Sequence, residues 1–154
     1  MPVFDCEIQA RLRDVNLGGH VDNVEALRVV DEARILFLRH ARLDDRDGGA
    51  LRDVPAHVSE LVGSQRVDYH SEMRFVAFQP FLLRLWVSHV GRSSFAVSAE
   101  LRVEAGHPPA LSSESGLVLW DRETAAPWPV SDDVRRVLSS FDGPPVALRE
   151  RPGG

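Results

Sequence analysis

Residues 4–41, FDCEIQARLRDVNLGGHVDNVEALRVVDEARILFLRHA, change their hydrophobic period twice and decide the fold. From Phe4 to Arg13, apolar and polar side chains alternate, which is typical of a half-buried strand. Residues 14–23 are too rich in Gly, Asn and Asp for a regular element and predict a structured loop. From Val24 to about Ala41, apolar residues recur at helical spacing, which predicts one long, largely buried helix. Its apolar stripe consists of Ala26, Val29, Val30, Ala33, Leu36 and Phe37, widened by Leu27, Ile35 and Leu38.

The rest of the chain predicts antiparallel strands joined by turns. Residues 44–53 are charged and contain adjacent glycines, which predicts an exposed, mobile connection. Further strands are predicted over 66–75, 81–90, 95–104 and 110–120, and a short helix over 131–138. One apolar helix and one antiparallel sheet must bury their apolar faces on each other. The sequence therefore predicts an α+β hotdog fold, a curved antiparallel sheet wrapped around one long buried helix. We expect a single domain at residues 1–141 and a flexible tail at 142–154.

The composition excludes several classes of protein. A chain of 154 residues, 44% of them hydrophobic, can bury one core. The net charge is −5 and basic residues are scattered among acidic ones, so we expect no nucleic-acid partner. No apolar run approaches the roughly 20 residues that span a bilayer, and no signal-like segment begins the chain, which predicts a cytoplasmic protein without a membrane partner. A lone Cys6, with no Cys/His cluster at ligand spacing, predicts no disulfide, metal or cofactor.

The chain resembles a known family in the loop DVNLGGHVDN at residues 14–23. The loop is similar to the pattern Asp-x-Asp-x-x-Gly-His-Val-Asn-Asn of hotdog acyl-CoA and acyl-carrier thioesterases, which precedes a helix containing Glu-Ala-Arg. Residues 32–34 match that helix motif, and the likeness continues through 67–69, 91–95 and 118–124. The chain is similar to the 4-hydroxybenzoyl-CoA thioesterase-like family. The resemblance implies hydrolysis of an acyl-CoA to free acid and CoA by a homodimer, or a homotetramer built from two dimers, with the site shared between two chains.

Thioester hydrolysis needs a polarised carbonyl oxygen and an activated water or carboxylate. The helix start near Asp22, Asn23 and Val24 offers unpaired backbone amides and a dipole for the oxyanion. Gly18 and Gly19 allow close approach of the ligand, or simply form a tight turn. Asn23 is expected to cap the helix. The substrate-binding residues that follow from the motif and the resemblance are Asp14, Gly18, Gly19, Asp22, Asn23, Val24 and Arg34.

The usual catalytic carboxylate of the family falls on Asn16, four residues before His20. An amide is neither a nucleophile nor a general base, and three interpretations stay open. Asn16 orients a water, with the helix amides and Arg34, as a likeness to enediyne-type hotdog thioesterases implies. Alternatively, another carboxylate acts, and Glu32 is the candidate because it lies on the buried helix, although a helix ion pair would also explain it. Thirdly, the protein binds acyl thioesters without efficient hydrolysis, and an Asp-to-Asn exchange made to trap a complex would look the same. His20 is either catalytic or structural.

A turn in the second half of the chain, Gly91-Arg92-Ser93-Ser94, offers a guanidinium and two hydroxyls that suit CoA phosphates. A plain hairpin turn is the alternative.

Two other functions stay open. A hotdog enoyl-thioester hydratase has the motif Asp-x-Asn-Pro-x-His, but here two glycines intervene between Asn16 and His20 and the proline is missing. A non-hydrolytic acyl-thioester-binding protein is the alternative outside enzymes.

Overall fold

One antiparallel sheet and one long helix dominate the protein, whose computed structural model describes residues 2–150. The strands are β1 (Phe4–Ile8), β2 (Val58–Tyr69), β3 (Phe81–Val90), β4 (Ser94–Arg102), β5 (Leu111–Asp121) and β6 (Ala126–Pro127). Helix α1 (Asn23–Ile35) continues into a π-helical turn at Leu36–His40, and α2 (Asp132–Ser139) follows β6. The order in the sheet is β1-β3-β4-β5-β2, with β6 beside β5. Every pairing in the sheet is antiparallel.

Helix α1 buries its apolar stripe against the sheet. The stripe residues Ala26, Val29, Val30, Ala33 and Phe37 are at most 6% exposed, whereas Leu27 and Leu36 are half-buried. The Phe37 ring stacks on Phe4 with 5.2 Å between centroids and meets Phe141 edge-on at 5.0 Å. The predicted curved sheet around one buried helix is confirmed. Ile35 is an exception to the predicted stripe, since it is 42% exposed and lies on the outer side of the helix.

Several predicted strand bounds are wrong. β1 ends at Ile8 rather than Arg13, because the chain leaves the sheet and forms a 3₁₀ turn at Leu12–Asp14. β2 begins at Val58 rather than near residue 66, and its stretch 61–66 is exposed, so no alternation announces it. Because β2 ends at Tyr69, the predicted strand residues Met73 and Phe75 lie in the following loop. β3 has the predicted bounds, and β5 and α2 differ from theirs by one residue at each end.

Residues 44–53 are not the exposed connection that we predicted. Although residues 44–47 are exposed, Ala50 and Leu51 are at most 1% exposed. The N–H groups of Gly49, Ala50 and Leu51 donate to carbonyls of residues 41, 37 and 38 at 2.9 Å, 3.0 Å and 2.9 Å. The segment therefore closes the carboxyl end of the long helix. Gly49 has a φ of +74°, and a Cβ there would lie 2.5 Å from the backbone nitrogen of Arg39.

The described part of the predicted tail runs along the sheet. Gly143 N–H donates to the Val87 carbonyl at 2.9 Å, and Val146 N–H donates to Ser98 Oγ at 3.1 Å. Trp86 Nε1–H donates to the Pro144 carbonyl at 2.6 Å. The domain boundary at residue 141 and the flexibility of the tail stay predictions, and residues 151–154 lie outside the described part. Within residues 2–150, no helix is both long enough and apolar enough to cross a bilayer.

Candidate functional site

A cleft of about 530 Å³ opens where the loop of residues 14–23, the site loop, meets the end of β2. Its lining residues are Asn16, His20, Val21, Asp22, Asn23, Tyr69, His70, Ser71, Glu72 and Met73. Four predicted site residues are thus brought together, and they face a second segment, residues 69–73. The two segments are joined by a hydrogen bond of 2.7 Å from Val21 N–H to the Met73 carbonyl.

Asn16 folds the site loop back on itself. Its side-chain Oδ1 accepts hydrogen bonds from the N–H groups of Gly18 at 3.0 Å and His20 at 3.3 Å. Its own N–H donates to the His20 carbonyl at 2.8 Å. Gly19 adopts a φ of +79°, a conformation that glycine reaches without steric cost. The Asn16 oxygen is therefore engaged in building the turn, and only its NH₂ group has no partner among residues 2–150.

The amino end of α1 presents unpaired amides at the cleft. The prediction that Asn23 caps the helix is wrong, since Asp22 is the N-cap residue and Asn23 is the first helical residue. The Asp22 side chain makes no capping hydrogen bond. Within the described residues, the N–H groups of Asn23, Val24 and Glu25 have no acceptor, as expected for an uncapped helix start. Of these three residues only Asn23 lines the cleft, so its amide and the positive end of the helix dipole lie beside it.

Tyr69 ties the end of β2 to this helix start. Its hydroxyl donates a hydrogen bond to the Asn23 carbonyl at 3.0 Å. Burial and the nearby Asp22 carboxylate raise the pKa of the Tyr69 phenol, so it remains a neutral donor at ordinary pH. The next residue, His70, contacts Ser112 Oγ through Nε2 at 3.1 Å. No pattern in the sequence assigns a site role to either side chain, yet both residues line the cleft.

His20 and Glu72 form a pair across the cleft. His20 Nε2 lies 3.3 Å from Glu72 Oε2. The Glu72 side chain is 71% exposed, whereas that of His20 is 25% exposed. His20 Nδ1 is buried and has no hydrogen-bond partner among residues 2–150. Nothing in the local sequence distinguishes Glu72, because its pairing with His20 depends on a loop that the tertiary structure folds back.

Asp14, the first residue of the site loop, does not line the cleft. It is buried, and its Oδ2 accepts a hydrogen bond from Arg11 N–H at 2.8 Å. Its carbonyl accepts a hydrogen bond from Asp22 N–H at 2.9 Å. These contacts hold the loop against the start of α1. The predicted contact of Asp14 with substrate stays a prediction.

Glu32 and Arg34 do not line the cleft. Glu32 is exposed and lines a separate groove of about 720 Å³ between α1 and β1. Arg34 is buried under the helix, where it donates to Ser115 Oγ at 3.4 Å and pairs with Asp31. Arg34 also lies roughly 16 Å along the helix axis from Asn23, at 1.5 Å per residue. One chain therefore does not bring these two predicted residues to the amides at the helix start.

The turn Gly91–Ser94 lies at the other end of the sheet. Tyr69 pairs with Leu111, and Ser94 pairs with Val118 on the same strand, β5. The seven-residue separation along β5 corresponds to about 23 Å. The turn is closed by a hydrogen bond of 2.7 Å from Gly91 N–H to the Ser94 carbonyl. Arg92 is exposed and makes no ion pair among the described residues.

Comparisons with known proteins agree with this architecture. The sequence matches the model of the thioesterase-like superfamily over residues 10–138. A Pseudomonas aeruginosa PAO1 protein has a similar structure, with 22% identity, a TM-score of 0.74, and coverage of 92% of this chain and 93% of that chain. A Staphylococcus aureus DHNA-CoA thioesterase gives 17% identity, a TM-score of 0.74 and coverage of 91% of each chain. A Thermus thermophilus thioesterase complexed with coenzyme A and Zn gives 23% identity, a TM-score of 0.66, and coverage of 89% and 92%.

The comparison with curated proteins returns no match. At the identities above, likeness to solved structures establishes the shared fold alone. The family match is stronger, because it covers most of the chain and includes the site loop, α1 and the four strands β2 to β5. This protein belongs to the thioesterase-like superfamily and has its hotdog fold.

Proposed function

We propose that this protein hydrolyses an acyl-CoA to the free acid and CoA in the cleft between the site loop and β2. The observation that carries the proposal is the uncapped start of α1, whose first residue, Asn23, lines the same cleft as the His20–Glu72 pair. Fixed N–H donors stabilise the negative charge that develops on a carbonyl oxygen, because they need no reorganisation during the reaction. A thioester carbonyl placed at the helix start would be polarised in this way.

Glu72 supplies the carboxylate that the family motif has at position 16 and that this chain, with Asn16, lacks. It is exposed to the cleft, and His20 Nε2–H can hold one of its oxygens at 3.3 Å. In this scheme Glu72 accepts a proton from a water whose oxygen attacks the carbonyl carbon. The tetrahedral intermediate then collapses, the C–S bond breaks, and the CoA thiolate takes up a proton. His20 is a positioning residue for Glu72, and Asn16 shapes the turn.

The first test is release of free thiol from short, medium, long and aromatic acyl-CoAs by the unaltered chain and by Asn16→Asp. An aspartate can still accept the hydrogen bonds from Gly18 and His20, so the loop should persist. We expect the unaltered chain to turn over at least one substrate, with Asn16→Asp within about tenfold of its kcat. The only cysteine interferes little, since burial, Asp5 and Glu32 raise the pKa of the Cys6 thiol to about 11.

If the Asn16→Asp variant is active and the unaltered chain is not, the proposal is contradicted. Asn16 itself favours a second candidate function, the binding of acyl thioesters without efficient hydrolysis. That function predicts that acyl-CoAs bind to the unaltered chain while thiol release stays at the rate of buffer. Calorimetric titration with a thioether analogue of acyl-CoA measures binding independently of turnover.

We also propose that the protein is a homodimer formed by pairing two β2 strands. Within the described residues, β2 pairs only with β5, so its other edge offers free backbone groups. Leu61 and Val62 on this strand are each 47% exposed. A two-fold axis would pair the strands antiparallel, which places the Val58 end of one beside the Tyr69 end of the other. The Gly91–Ser94 turn of a second copy would then approach the cleft, where it could bind CoA phosphates.

Light scattering after size exclusion tests the dimer. We expect a mass twice the 17.1 kDa of one chain, and a dimer of dimers would double it again. Leu61→Arg should give a folded monomer that has lost most thioesterase activity. Leu12→Arg is the control, because Leu12 is 75% exposed and lies outside β2. A monomeric unaltered chain, or a fully active Leu61→Arg monomer, would refute this arrangement. The cytoplasmic location stays a prediction from the sequence.

A further inference from the structure

Three potential metal ligands meet where β2 begins and β5 ends, at the other end of the sheet from the cleft. A ring nitrogen of His57 and one carboxylate oxygen each from Asp121 and Glu123 lie within 4.8 Å of one another. His57 directly precedes β2, and Val58 pairs with Asp121, the last residue of β5. Glu123 lies in the turn that follows. The sheet therefore fixes the positions from which these side chains extend.

Backbone contacts hold two of these groups in place. Asp121 Oδ1 accepts hydrogen bonds from the N–H groups of Glu123 at 2.9 Å and Thr124 at 3.2 Å. Its other oxygen, Oδ2, faces His57 Nε2. The His57 carbonyl accepts a hydrogen bond of 2.9 Å from Arg122 N–H, which fixes the backbone that carries the imidazole. The Asp121 side chain is only 13% exposed and the His57 side chain 37%, so both are partly enclosed.

The separation between these two groups suits a shared ion better than a direct bond. His57 Nε2 lies 3.7 Å from Asp121 Oδ2, which is longer than a hydrogen bond between charged partners. Nitrogen and oxygen ligands lie roughly 2.0–2.2 Å from Zn²⁺, so two ligands of one tetrahedral ion are about 3.4 Å apart. Small side-chain rotations would bring His57, Asp121 and Glu123 to such distances.

The local charge also favours a cation. Asp121 and Glu123 are two carboxylates in one small space, and neither forms an ion pair with an arginine or lysine among the described residues. The guanidinium of Arg122, the residue between them in sequence, donates instead to the carbonyls of Ala56 and His57. No guanidinium among the described residues therefore neutralises these two carboxylates.

We propose that His57, Asp121 and Glu123 form a binding site for a divalent transition-metal ion of the Zn²⁺ class. One imidazole and two carboxylates suit such ions, whereas Mg²⁺ and Ca²⁺ prefer oxygen ligands alone. Three protein ligands leave a fourth tetrahedral position for water or another small ligand. The site is separate from the thioesterase cleft and does not depend on the function proposed for it.

Calorimetric titration of the chelator-treated full chain with Zn²⁺ tests the site near neutral pH. We expect one ion bound per chain, with affinity weakened at least about tenfold in His57→Ala and in Glu123→Gln. Both side chains reach solvent, so both variants should fold. His107→Ala is the matched control, because His107 Nδ1 lies 3.6 Å from Glu104 Oε2 but the described part of the chain, residues 2–150, brings no third ligand to them. Zn²⁺ should also raise the melting temperature of the unaltered chain and of His107→Ala, but not that of Glu123→Gln.

The absence of saturable Zn²⁺ binding to the unaltered chain would overturn the proposal. Equal weakening by His107→Ala would do the same, since it would indicate adsorption to surface histidines. Unchanged affinity in Glu123→Gln would also contradict the proposal, because Glu123 would then not be a ligand. Competition by Ca²⁺ or Mg²⁺ at equal concentration would refute the assigned class of ion.

Discussion

Glu72→Gln is expected to lower kcat for thioester hydrolysis by about 10²–10⁴-fold, the range for loss of a positioned general base. The amide keeps the size of the side chain and can still accept a hydrogen bond from His20 Nε2–H, so the cleft should persist. KM should change less than about threefold, because the amides at the helix start still bind the thioester. Steady-state kinetics on the best acyl-CoA from the panel gives both constants.

Two further variants make this result specific. Glu104→Gln removes a carboxylate that also pairs with a histidine, His107, at 3.6 Å, but on an exposed turn outside the cleft. It should leave kcat unchanged. Glu72→Asp keeps a carboxylate and should recover part of the lost rate, which a purely structural role would not predict. If Glu72→Gln retains full kcat, a group other than Glu72 activates the water.

Replacing Gly49 by alanine is expected to reduce the free energy of unfolding by about 3 kcal/mol or more. A φ of +74° costs an L-residue with a Cβ about 1–2 kcal/mol. The added Cβ would also meet the backbone at Leu38 and Arg39, where no flexible side-chain end can move aside. Such overpacking costs a further 1–3 kcal/mol, roughly. Urea denaturation followed by circular dichroism measures the loss.

Gly106→Ala provides the control for the Gly49 experiment. Gly106 has a similar φ of +83°, but no atom lies within 4 Å of the position its Cβ would take. Only the conformational cost applies there, about 1–2 kcal/mol. Equal destabilisation at the two sites would show that the contact between residues 49–51 and the long helix adds little to stability.

A strand with one strongly buried face could be predicted well from the sequence. In β3, Phe81, Leu83 and Leu85 are each at most 1% exposed, and the bounds of the strand, Phe81–Val90, match the prediction. β2 is different, because an edge strand exposes residues 61–66 and loses the alternation that would identify it. In β1 the alternation of apolar and polar residues continues beyond the end of the strand. Ala10 is buried by the core after the chain has left the sheet, whereas Leu12 is 75% exposed. Pattern alone does not reveal where hydrogen bonding to a neighbouring strand stops.

The candidate site was predictable where it is local in sequence. Asn16, His20, Asp22 and Asn23 belong to one loop and line one cleft. Glu72 meets His20 through a loop that folds back, and strand pairing brings His57 to Asp121, so neither contact was predictable from the sequence. We expected no metal because the sequence has no Cys/His cluster at ligand spacing. Spacing along the chain does not reveal which distant residues the sheet brings together. The misplaced helix cap is a smaller error, since Asp22 and Asn23 are both typical N-cap residues.

The order of strands in the sheet also affects how the protein is made on a ribosome. β2 is synthesised before β3, yet its partner in the sheet is β5, which ends at Asp121. The site loop, the long helix and β2 therefore emerge well before the strand that holds them. Tyr69 pairs with Leu111, and His70 N–H donates to the Ala110 carbonyl at 2.8 Å. A nascent chain that ends before residue 110 contains the whole loop motif but lacks the β5 strand that holds β2, and its apolar segments are exposed to aggregation until β5 is made.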